Sequence, residues 1–129
     1  MEDTALLNAH VQLKKMYTNL NETLDLSRQL AEAVDRDDQV AIHMLLAMRQ
    51  EPIERLRRAR NALEQQRDLL SPEDGQELEE LLRGGPPRTD AAAPLAAQVG
   101  MNRRVLEQVG ALDKAISLKL AREKSIYHQ

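Results

Sequence analysis

Phenylalanine, tryptophan and cysteine are absent from this chain, and its only aromatic side chains are Tyr17 and Tyr127. Without cysteine there is no disulfide framework and no thiolate metal site. With so few aromatics, a core must be built from Leu, Ile, Val, Met and Ala. Such residues fill narrow seams between helices and supply little of the material that strands favour. No apolar run approaches the roughly 20 residues a membrane-spanning helix needs. The opening stretch MEDTALLNAH starts acidic and soon turns polar, unlike a signal peptide. These absences point to a soluble, cytoplasmic protein. A net charge of −3 gives no electrostatic reason to expect a nucleic-acid partner.

What is present is helical periodicity. Charged residues reach 30% of the 129, a share that suits long, thin helices with much solvated surface. From Leu6, alternate steps of four and three reach His10, Leu13, Tyr17, Leu20, Leu24, Ser27, Ala31 and Val34. That spacing predicts a helix over about 3–34. Leu7, Val11, Met16, Leu26 and Leu30 widen its stripe to what a bundle requires. Asp3 or Thr4 is the candidate cap. Asp35-Arg36-Asp37-Asp38 breaks the pattern, and Asp37 or Asp38 is placed to cap a second, antiparallel helix to about Leu70. Pro52 interrupts it. Either one helix kinks there or a new one begins at the proline, and the continuing periodicity favours one kinked helix.

Ser71-Pro72-Glu73-Asp74 combines a capping serine, a proline at the first position and acids at the helix's positive end. It predicts a short helix to about Leu82. Gly84-Gly85-Pro86-Pro87 stops it and opens a Gly/Pro-rich linker at 84–94, expected to be the most mobile internal stretch. A last helix should run from about Pro94 to Lys124. Gly100 and Gly110 within it serve either close backbone approach or bending. The fold expected is all-α, a single domain over 1–129. It is an antiparallel helical bundle of three long helices plus one short helix.

Catalytic chemistry finds no footing in the residues. There is no Cys nucleophile, no phosphate-cradling glycine loop and no Gly-x-Ser-x-Gly turn. His10, His43 and His128 are far apart, and none follows a Glu at the three-residue spacing of di-iron bundles. Asp35, Asp37 and Asp38 lack the glycine and distal glutamate of a calcium loop and are accounted for by capping. No enzyme activity, metal or cofactor is expected.

Arg49, Arg55, Arg57, Arg58, Arg60 and Arg67 form the most conspicuous charge series. Glu51 and Arg55, Glu54 and Arg58, and Arg60 and Glu64 are spaced for ion pairs along one solvated helix face. An acidic protein partner is the other reading. Asn102 occupies a core-type position between Val99 and Leu106. There it either fixes the register of a helical seam or is rotated out to solvent. Ile126 and Tyr127, beyond the basic turn containing Arg122 and Lys124, either pack back on the bundle or form a short docking element.

The Leu-rich opening helix, the Asp-rich turn into DDQVAIHMLLAMRQEPIERL and the closing helix VGMNRRVLEQVGALDKAI together resemble the flagellar type III export chaperones, the FlgN-like and FliT-like groups. In the closing helix Asn102 precedes Leu106 by four residues, as in that family's last helix. The likeness covers most of the chain. It implies a cytoplasmic, non-catalytic chaperone that holds the amphipathic C-terminal helices of hook-associated or cap subunits in an apolar groove before export. It also implies partner contacts on the last helix. Asn102, Val105, Leu106, Val109, Leu112, Ile116 and Leu120 are the candidates, with Tyr127 placed for contact with the export gate. The Pro52 interruption and the Gly/Pro-rich linker depart from the family's simplest pattern. A structural or regulatory homodimer, formed by self-pairing of long helices, is the alternative.

Overall fold

The computed structural model describes the backbone of residues 1–127 and the side chains of residues 1–122. It is a bundle of three long helices and one short one: α1 (Asp3–Asp35), α2 (Gln39–Leu69), α3 (Pro72–Leu82) and α4 (Ala93–Tyr127). A single 3-10 turn, Asp90–Ala92, precedes α4.

The breaks follow from cap chemistry. Ser71 Oγ accepts from the Asp74 N–H at 3.2 Å, and Asp38 Oδ1 accepts from the Ala41 N–H at 3.1 Å. Each satisfies a donor that the first turn of a helix leaves unpaired. At α1, by contrast, the cap position belongs to Glu2, and no side chain caps it. Asp3 is already helical, so neither it nor Thr4 fills the role its residue type suggested. The end of α1 is closed by Asp38 N–H donating to Ala33 O and Asp37 N–H to Val34 O, with Asp37 at φ 53°. The end of α3 repeats this motif through Gly85 to Glu80 O and Gly84 to Leu81 O. Gly84 has φ +95°, and a Cβ on Gly85 would lie 2.8 Å from Glu80 O, so this turn needs glycine at both positions.

Pro52 lies inside one continuous helix α2, and its ring is fully buried. The linker after α3 is tied down. Arg88 bonds Glu80 at 2.7 Å, Thr89 caps the 3-10 turn, and Ala92 is wholly buried.

Hydrophobic burial is distributed unequally. α1 buries Leu6, Ala9, Leu13, Leu20, Leu24, Leu26, Leu30, Ala33 and Val34, whereas α2 buries only Ile42, Leu45, Pro52, Ala59 and Leu63. The reason is topology: α2 and α4 both pack along α1, and among the described residues no Cα of α2 comes within 8 Å of a Cα of α4. α2 is antiparallel to α1: Ile42 shares a core cluster with Val34 near the turn, Asn19 pairs with Arg55 midway, and Leu63 shares a cluster with Leu6 and Leu13 near the start of α1. α4 runs parallel to α1. Asn102 meets Leu13 near one end and Lys119 meets Asp35 near the other. The linker makes this possible by carrying the chain back to the start of α1. α3, at 11 residues, is too short to persist alone. It is held by Leu78 and Leu81, packed with Leu6, Leu63 and Leu95.

The two glycines of α4 do not serve close packing. A Cβ on Gly110 would meet nothing within 4 Å, and one on Gly100 only the tip of Arg104. Gly110→Ala should therefore raise the free energy of unfolding in urea by about 1 kcal/mol, from helix propensity alone. Gly85→Ala should lower it in the same assay.

Candidate functional site

The separation of α2 from α4 leaves a groove whose floor is α1. Leu13, Met16 and Leu20 form the floor; Ile53, Leu56, Arg60 and Leu63 form the α2 wall; Val99, Asn102, Arg103 and Leu106 form the α4 wall. Glu79 and Leu82 of α3, with Arg83 just beyond its end, close one end. Beyond the other end, Arg49 reaches across from α2 to Asp113 of α4 at 2.8 Å. α3 thus occupies the first turns of a fourth-helix position, and the rest of that position is open and largely apolar.

Polar clamps hold the walls at this spacing. Asn102 is buried, its Nδ2 donating to Leu13 O of α1 at 2.9 Å and its Oδ1 accepting from buried Gln98 at 2.9 Å. Of the two readings of Asn102, rotation out to solvent is excluded: the amide is buried and bonds across the seam to α1. On the opposite seam, Arg55 is fully engaged. Its Nε donates to Asn19 Oδ1 at 2.9 Å, and its terminal nitrogens bond Glu22 of α1 and Glu51 of α2, each at 2.8 Å. Thr23 and Ser27, buried further along α1, return their hydroxyls to the carbonyls four residues back. Arg49, 11% exposed, leaves its buried Nε without a partner.

The arginine series is therefore not one solvated face. Glu51 pairs with Arg55 as its spacing predicts. Glu54 instead takes Arg57 at 2.8 Å, and Arg58 makes no ion pair among the described residues. Arg60 and Glu64 both line the groove without pairing. Two of the series, Arg49 and Arg55, are interhelical ties. Sequence spacing on one helix shows only same-helix partners, so these ties had no signal in it.

Of the residues singled out on the last helix, Val105, Val109 and Ile116 are buried, and Leu112 and Leu120 are half-buried, all packed against α1 or its neighbours. Leu106, 55% exposed, projects into the groove, with Asn102 at its edge. The Tyr127 and Ile126 side chains, like His128, lie outside the described residues. The floor residues Met16 and Leu20 and the α2 residues Ile53 and Leu56 carried no sequence mark as site residues. Each sits on an apolar stripe that reads equally well as core.

His10 is half-buried beside Leu6, Leu7 and Leu95, and His43 is exposed. No described helix is long and apolar enough to cross a membrane.

The Asn102–Gln98 pair gives a direct test of the clamp. Asn102→Leu alone should cost about 1–3 kcal/mol in chemical denaturation, because it leaves the Gln98 amide buried without its partner. Adding Gln98→Leu should recover most of that loss.

Comparison with protein-family models, with characterised proteins and with solved structures finds no match for this chain.

Proposed function

We propose that this chain is a non-catalytic, cytoplasmic chaperone that takes one amphipathic helix of a partner into the groove between α2 and α4. The partner we propose is a flagellar hook-associated or cap subunit, bound through its C-terminal helix before type III export. The observation that carries this reading is the incomplete fourth-helix position. α3 fills one end of it, and Met16, Leu20, Ile53, Leu56 and Leu106 are left to line the remainder. An amphipathic helix is the element that would complete the bundle, since its apolar stripe matches a groove walled by two helices. Methionine and leucine at the contact can repack around side chains of different shape. The partner class comes from the sequence resemblance, in which Asn102 and Leu106 stand in the same relation as in the flagellar export chaperones. In this reading Leu106 meets the partner directly. Val105, Val109, Leu112, Ile116 and Leu120 hold α4 against α1, and Tyr127 is retained as a contact for the export gate.

A structural homodimer is the second reading, favoured by one observation. Val40, Met44 and Met48 lie four residues apart on α2 and are 80%, 56% and 49% exposed. This apolar row involves none of the groove residues and would suit self-pairing.

Leu106→Asp should weaken binding of a purified C-terminal segment of a hook-associated or cap subunit by at least about tenfold in calorimetry. Its helicity and melting temperature should stay near the parent's, because Leu106 is solvent-facing in the free protein. Val109→Asp, which buries a charge, should instead unfold the chain. Unchanged binding by folded Leu106→Asp would sink the groove assignment. Light scattering that reports a dimer, broken by Met44→Glu, would move the assignment to the homodimer.

A further inference from the structure

The rim of the groove carries charge opposite to that of the chain as a whole. The protein is net −3, yet the groove is bordered by Arg57, Arg60, Arg67, Arg83 and Arg103 against Glu64 and Glu79. Three of these arginines are already compensated: Arg57 by Glu54, Arg67 by Asp68 and Arg83 by Glu79. Arg60 and Arg103 make no ion pair with a carboxylate among the described residues, and Glu64, one turn from Arg60 on the same wall, makes none with a cation; all three are exposed, so two free cations face one free carboxylate. Arg103 donates to the main-chain oxygen of Arg83, which orients its guanidinium at the groove mouth without neutralising it. Arg60 stands on the α2 wall and Arg103 on the α4 wall, with Leu63, Val99 and Leu106 between them.

The excess of cations over carboxylates on the banks of an apolar strip, with Arg103 alone on the α4 side and Arg60 beside Glu64 on the α2 side, is a selection device. A helix lying in the groove turns its apolar stripe to the floor, and the residues on either side of that stripe meet the banks. Carboxylates there would gain charge-assisted hydrogen bonds from guanidinium donors. Lysines or arginines there would bring like charges together beside an apolar surface, where screening is weaker than in open water. We propose that the groove selects an amphipathic helix whose apolar stripe is bordered on both sides by Asp or Glu, with Arg60 and Arg103 as the selecting cations. The inference rests on the helix-binding reading above and adds the chemistry of the occupant.

The test uses the full chain and three synthetic helical peptides that share one leucine stripe and differ only at the bordering positions, which are Glu, Gln or Lys. Fluorescence anisotropy at about 50 mM salt should rank them Glu, then Gln, then Lys. The first and last should differ by roughly tenfold or more, and the preference should shrink toward 500 mM salt as screening shortens. Arg60→Glu removes no described ion pair and should keep the parent's circular dichroism while narrowing the preference; Arg60→Glu with Arg103→Glu should invert it. Equal affinity for all three peptides, still lost in Leu106→Asp, would overturn the charge selection and leave the helix groove standing. Failure of every peptide to bind the folded protein would overturn both.

Discussion

The rest of this structure depends on α1, the long helix against which both other long helices pack. Its buried residues cover two flanks, because the backbones of α2 and α4 stay more than 8 Å apart among the described residues and those helices meet only through side chains. Each of those helices is amphipathic and too long to leave its apolar stripe in water, yet among the described residues each brings its backbone close to only one long helix, α1. A leucine side chain fully transferred to the interior contributes about 2–3 kcal/mol. Leu30, Leu78, Leu81 and Leu95 are buried to that degree. Leu106 is 55% exposed and Ile53 and Leu56 are half-buried, so part of their hydrophobic stabilisation is left unrealised in the isolated chain.

Leucine seams alone would tolerate sliding, since neighbouring turns of a helix present nearly the same apolar surface. The polar clamps remove that freedom. Asn102 reaches one carbonyl of α1, and Arg55 ties Asn19, Glu22 and Glu51 together across the other seam. The buried amides Asn102, Gln98 and Asn19 penalise a wrong register, because a shifted helix would leave them unsatisfied, whereas the exposed Arg55 pairs with Glu22 and Glu51 add little. Register matters here for a further reason. The groove is bounded by α3 at one end and by the Arg49–Asp113 pair beyond the other, and its walls are set by how α2 and α4 sit on α1.

Much of the fold was legible in the residues, and the legible parts are those governed by local chemistry. The Ser71-Pro72 start, the Gly84-Gly85 stop and the Asp38 cap act within a turn or two of themselves, so their effect is written in adjacent letters. Pro52 could be placed within one helix because the apolar period continued across it. The start of α1 was not legible in the same way. Asp3 and Thr4 have capping side chains, but neither is used, and the cap position falls to Glu2. Same-helix ion pairs were over-read for a related reason. Arg60 and Glu64 have the right spacing, yet both face the groove unpaired, while Arg49 and Arg55 turn to other helices.

The sequence by itself determined the helices, their ends and the absence of cysteine chemistry, because propensity, capping and composition are properties of short stretches. It also marked Asn102 as unusual within one stripe and gave Leu106 no distinction from the apolar residues around it. Only the tertiary structure decided which stripe residues are core and which line a surface. Val109 and Leu106 are three residues apart on the same helix, and one is buried while the other is open. That difference is set by the distance from α4 to α2, a relation between segments about 50 residues apart. Periodicity along a single helix carries no information about that distance.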